Sequence, residues 1–175
     1  MAGIPHSRTL AATLPGLALC CALTAASAQA KVISVSGTET VVDEQAGTYR
    51  MHGDLVGGWK ITSFKEVATS PLYQGKGTER FRGCLDRGHD GGCAGDPKGT
   101  LRLRFRYWAL FGSGDALRAG ACSHPIVGGT GAFKNAGGLI QMLDAPTESG
   151  VETMYVGRIR VGGGSVASAA RMSGG

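Results

Sequence analysis

Metal-site spacing is missing from this chain. It has five cysteines and four histidines, but no CxxC and no paired His/Cys spacing of the kind that holds zinc. No metal and no cofactor is expected. Beyond residue 30 there is no long apolar stripe at 3.6-residue spacing, which argues against a helical architecture. No Ser/His/Asp set is placed to serve a protease, and no internal repeat is visible.

What is there begins with an export signal. Arg8 gives a charged start, Leu10 to Ala26 is mostly apolar, and Ala28-Gln29-Ala30 is a small-x-small cleavage pattern. Residues 1–30 read as a signal peptide cut before Lys31, and the protein as secreted and extracellular. Pro15 and the shortness of the stretch argue against a stable membrane anchor. Cys20 and Cys21 are not read as lipidated, because Leu19 and Cys20 precede them where a small residue is needed. Export implies an oxidising compartment. Of the remaining cysteines, Cys84 and Cys93 flank the polar loop "LDRGHDGG" and are the favoured disulfide. Cys84–Cys122 is the rival pairing, and the odd thiol is either buried and inert or reactive.

The formal net charge is +5, which suits solubility or weak attraction to anionic glycans, lipids or nucleic acid. Period-two runs bounded by glycine dominate the rest of the chain. In "GTLRLRFRYWALFG", Leu101, Leu103, Phe105 and Tyr107 face one way and Arg102, Arg104 and Arg106 the other. "KVISVSGTETVV", "GGWKITSFKEVAT", "KGTERFRGCL", "GGLIQMLDA" and "VETMYVGRIRV" behave similarly, with a weaker segment near Tyr49–Leu55. The count is seven or eight strands, and the expected fold is an all-β barrel or sandwich in one domain over residues 31–161. The one helical candidate is a short turn near Asp115–Ala119. Residues 162–175 read as a flexible Gly/Ser/Ala-rich tail.

The segment "HPIVGGTGAFKNAGGLIQMLD", His124 to Asp144, crowds Gly128, Gly129 and Gly131 together. A dinucleotide loop would need a helix next, yet "GGLIQMLD" alternates like a strand. No Gly-Lys-Ser/Thr follows, so it is not a Walker loop. "IVGG" is similar to the new N-terminus of an activated trypsin-like protease, but too little chain follows for two protease barrels.

The stretch resembles the "GGTG-x-F-x-x-A-x-G" segment of the allene oxide cyclase/dirigent superfamily, here Gly128-Gly129-Thr130-Gly131-Ala132-Phe133 with Ala136 and Gly137. The export signal, the strand patterning and a last strand "YVGRIRV" fit that resemblance. It implies an eight-stranded antiparallel, lipocalin-like barrel with a central cavity. The glycines would then shape a barrel corner, with Phe133 plugging one end or packing beneath the turn. The resemblance carries no catalytic residue over, and the Cys84–Cys93 insert departs from the plant pattern.

Such a barrel can hold one small ligand inside. On the period-two reading, the candidate ligand-binding residues are Trp59, Phe81, Leu103, Phe105, Tyr107, Met142 and Tyr155, with Ile61 on the same face; core packing is the competing role. Glu79 shares a face with Phe81. A carboxyl in an apolar pocket has its charged form disfavoured, which suits a general acid or a polar anchor. An exposed or arginine-paired Glu79 is the competing reading. Cys122 and His124 could share a strand face, but no third orienting group is evident, so a structural or surface role is expected for His124. His52 and His89 read as loop residues.

The leading functional expectation is a secreted barrel binding a small apolar molecule. A cyclase or isomerase acting on a small hydrophobic substrate by confinement is the alternative. A third reading has the Arg102/Arg104/Arg106 stripe, joined by Arg158 and Arg160 if the strands are neighbours, docking on an anionic surface. Its competitor is a solvated face offset by acids on adjacent strands. Nucleic acid is not expected as a partner, since the stripe lacks interleaved aromatics. Homo-oligomers are compatible with the sequence.

Overall fold

The computed structural model describes residues 30–69, 72–148 and 150–162. The expected signal peptide up to residue 29 and the expected tail beyond Gly162 lie outside the described residues. Eight strands follow one another: β1 (Lys31–Asp43), β2 (Thr48–Gly53), β3 (Leu55–Ala68), β4 (Tyr73–Leu85), β5 (Lys98–Phe111), β6 (Leu117–Gly131), β7 (Gly137–Thr147) and β8 (Gly150–Val161). Each pairs antiparallel with the next, and β8 returns to β1, so the sheet is a closed eight-stranded barrel. A 3-10 turn at Ser113–Asp115 replaces the helical turn expected near Asp115–Ala119. From Leu117 the chain is already strand, with Leu117 held opposite Phe111. His52 lies in β2 rather than in a loop, and its Nε2 is 3.1 Å from Thr40 Oγ1.

The alternation in the sequence explains the barrel. Leu101, Leu103 and Phe105 are buried while Arg102, Arg104 and Arg106 are exposed. Burying each large apolar side chain contributes roughly 1.5–3 kcal/mol, so the pleat has one stable way to face.

The sequential antiparallel order sorts the connections into two ends. The β1–β2, β3–β4, β5–β6 and β7–β8 hairpins ring one end. The β2–β3, β4–β5 and β6–β7 connections ring the other, where β1 starts and β8 finishes. That second end is packed solid by Leu55, Phe81, Leu101, Phe133 and Ile159. The glycine-rich turn closes it. Gly131 has φ +59°, and a Cβ on Gly129 would run into the carbonyl oxygens of Phe133 and Thr100. The amide of Phe133 donates to Thr130 O at 3.1 Å, and that of Ala136 to Phe133 O at 2.9 Å. Phe133 is thereby folded under the barrel, fully buried, edge-on to Phe81 at 5.8 Å. The glycines shape a turn, as expected.

Cys84 and Cys93 form the disulfide, and Cys122 is free. The bridge clips the β4–β5 connection, whose turn is held by the buried Asp86 carboxylate accepting from the amides of Asp90 and Gly91.

The outer wall over β3, β4 and β5 is basic. Lys60, Arg80 and Arg102 stand opposite one another, as do Lys65, Lys76 and Arg106. Like charges directly opposite are destabilising. The offsetting acids weighed in the sequence reading do not appear: among the described residues both ion pairs use a histidine, and none of these cations is paired with a carboxylate. Arg158 and Arg160 do not join this wall, because β8 neighbours β7 and β1. Outward-facing Lys or Arg costs about 2–4 kcal/mol each at a bilayer midplane, so this wall does not fit a barrel embedded in lipid.

Candidate functional site

The hairpin-ringed end opens into a cavity of about 920 Å³. Alternation points one residue in two inward on every strand, and exposure grades from base to mouth. Trp59, Glu79, Phe105, His124 and Met142 are the buried base. Glu39, Tyr49, Tyr107, Cys122, Asp144 and Thr153 form half-buried walls above them. Glu44, Phe111, Val151 and Glu152 stand exposed at the mouth.

Glu79 and His124 meet at the base. His124 Nε2 lies 3.2 Å from Glu79 Oε2, and both side chains are almost wholly buried, at 2% and 6% exposure. The contact has ion-pair distance but not hydrogen-bond alignment, so Glu79 Oε2 remains without a hydrogen-bond partner; His124 Nδ1, the other ring nitrogen, also has none. The Trp59 ring stands perpendicular to the imidazole at 5.4 Å, and Phe105 lies 6.3 Å away on a tilted plane. Aromatic walls thus fix the imidazole where its free nitrogen has no protein partner. The pair links β4 to β6 across the intervening β5, so the curvature of the barrel wall brings it together.

Glu39 adds a third unsatisfied group, its Oε2 also lacking a partner. Burial, then the negative charges of Glu79 and Asp144, push its carboxyl up from 4.5 to about 8. The folded protein therefore holds a proton on Glu39 that the unfolded chain releases. Its contribution to stability is present at low pH and is lost as pH rises from about 4.5 through about 8. Glu39→Gln is expected to flatten that fall, read as thermal midpoint against pH. A slope unchanged by the substitution would remove Glu39 as its source.

Asp144 is held by the neighbouring strand. Thr153 Oγ1 donates to Asp144 Oδ1 at 2.7 Å. Burial first, then the Asp144 charge, raise the Tyr107 phenol above its ordinary range. Burial first, then the charges of Glu79, Asp144 and Glu39, raise the Cys122 thiol likewise. Cys122 stays a thiol, which is unsuited to nucleophilic attack. Of the two fates open to the odd cysteine, the inert one fits.

Of the residues expected to bind ligand, Trp59, Phe105, Tyr107 and Met142 line the cavity with Glu79. Phe81, Leu103 and Tyr155 do not. Phe81 and Leu103 are in the packed core toward the closed end. Tyr155 is a structural post: its hydroxyl accepts from the Leu55 amide at 2.8 Å and donates to His52 O at 3.1 Å. Glu79 is neither exposed nor arginine-paired. Its partner is His124, for which a structural or surface role was expected and which lies in the cavity base. Sequence reading missed Glu39, Tyr49 and Asp144. The signal was available: Glu39 shares the parity of Val35, and Asp144 that of Met142. Among the described residues, no group of three or more His, Cys, Asp or Glu is arranged to hold a metal ion.

In comparisons with protein-family models, curated proteins and solved structures, nothing matches this chain.

Proposed function

We propose that this protein is a secreted barrel that binds a small, largely apolar ligand in its cavity, with the ligand's polar end against Glu79 and His124. The carrying observation is the set of unsatisfied polar atoms at the base of an aromatic-walled cavity. Each buried polar group without a partner costs about 1–3 kcal/mol, and a ligand hydroxyl or amine would satisfy it. The volume of about 920 Å³ falls in the range of small-molecule pockets. The lipocalin-like form implied by the allene oxide cyclase/dirigent resemblance belongs to this proposal; the closed antiparallel barrel supports it.

Native mass spectrometry of protein purified gently from its own culture medium tests the reading. A co-purified small molecule is expected, and it should quench Trp59 emission in a Trp108→Phe background. Bare protein that also shows no quenching with extracts of that medium would refute the reading.

A second reading is favoured by the acid–base pair itself. A carboxyl and an imidazole 3.2 Å apart, facing a confined ligand, suit proton transfer in a cyclisation or isomerisation. General acid–base catalysis contributes about 10²–10⁴-fold, so Glu79→Gln should lower turnover by a factor in that range. Unchanged turnover would remove this role.

The basic outer wall supports docking on an anionic surface. Replacing Arg102, Arg104 and Arg106 by Ser should weaken retention on an anionic matrix and flatten its salt dependence. Equal retention of the triple variant would discard the docking role.

A further inference from the structure

Charge in this protein is segregated against its own net sign. The chain is basic overall, at +5, yet no Lys or Arg lines the cavity. Five carboxylates do: Glu39, Glu44, Glu79, Asp144 and Glu152. A dense group of cations sits on the outside of β3, β4 and β5, beyond the barrel wall. A low-dielectric cleft lined by one sign of charge focuses its field and draws in the opposite sign.

Resting on the ligand-binding reading above, we propose that the cavity is selective for an organic ammonium ion carried on an apolar body. Four features support it. Glu79 is more than nine-tenths buried, lines the cavity and has an oxygen with no hydrogen-bond partner. Glu39 presents a second such oxygen from β1. Glu39 and Asp144 flank Thr153 on a single cross-strand row, so two carboxyls frame one patch of wall. Aromatic faces complete the frame: Tyr49 stands opposite Trp59 in the β2–β3 register, and ring faces attract cations, Trp best of all. A ligand carboxylate, by contrast, finds no Lys or Arg in this cavity.

Proton linkage follows. The ionisable groups sharing the lower cavity with Glu39 are Tyr49, Glu79, Tyr107, Cys122, His124 and Asp144. Cations are absent among them unless His124 is protonated. An ammonium arriving there favours the ionised form of Glu39, which then releases its proton to solvent.

The test uses three ligands of one shape: 2-phenylethylamine, its neutral alcohol isostere 2-phenylethanol, and the carboxylate 3-phenylpropanoate. Each is titrated into the full protein by calorimetry at pH 7 in two buffers of different ionisation enthalpy. The ammonium is expected to bind at least tenfold more tightly than the alcohol, with the carboxylate weakest and proton release seen for the ammonium alone. Glu39→Gln should abolish the proton release, and Glu39→Gln with Glu79→Gln should erase the preference while the alcohol still binds. Alcohol binding as tight as the ammonium overturns the charge selectivity and leaves an apolar-ligand barrel. Tightest binding by the carboxylate overturns it in the same way. No binding by any of the three overturns the cavity reading and this proposal with it.

Discussion

Replacing Glu79 and His124 together by leucine is expected to leave the barrel at least as stable as the native protein, whereas either replacement alone costs about 1–3 kcal/mol. The reasoning is electrostatic. The two side chains are nearly dry, their contact is poorly aligned, and each keeps an atom without a partner. Desolvation of such groups is not repaid by a misaligned contact. Removing one partner strands the other in an apolar cage of Trp59 and Phe105. Removing both replaces polar surface with surface that the cage already suits. Urea unfolding of the four proteins gives the cycle. A double variant clearly less stable than the native protein would make the pair a net stabilising element and weaken its assignment to ligand binding. The expected result, stability kept and ligand binding lost, is that of a pair retained at a cost to folding.

Phe133→Ala should be the most damaging single change in the closed end, at about 3–5 kcal/mol. That is a large share of the roughly 5–15 kcal/mol by which a domain is stable. Phe133 has no exposed surface and meets Phe81 edge-on at 5.8 Å. Its backbone is tied by turn bonds at Thr130 and Ala136, so the chain cannot easily collapse into the space left. Phe133→Leu keeps most of the volume and should cost under about 1.5 kcal/mol. The same measurements should show a red shift of Trp59 emission only for the alanine variant, as water enters from the packed end. A loss below about 1 kcal/mol for Phe133→Ala would mean that the turn, and not its phenylalanine, closes the barrel.

Much of the architecture was legible because a strand's side chains alternate strictly. Leu101, Leu103, Phe105 and Tyr107 could be assigned to one face from their spacing alone, and they hold that face. The same parity marks Glu39 beside Val35 and Asp144 beside Met142, once the inward face is known. Of the two pairings open in the sequence, the one that forms is the favoured one, between two cysteines flanking a short polar loop.

Depth was not legible. Phe81 and Phe105 share the inward parity, yet one is packed in the closed end and the other walls the cavity. Alternation says which face a residue takes, and only the position along the closed barrel says which end it reaches. Partnership was hidden for a related reason. Glu79 and His124 lie 45 residues apart, on strands that do not pair. The sequence by itself determined strands, faces and the glycine-rich turn that follows Gly131, and favoured the Cys84–Cys93 bridge over its rival, because these depend on neighbours within about ten residues. The tertiary structure decided the acid–base pair, the acidic interior and the basic wall. Each depends on which strands closure places side by side or face to face across the lumen, a matter of non-local register that local periodicity does not contain.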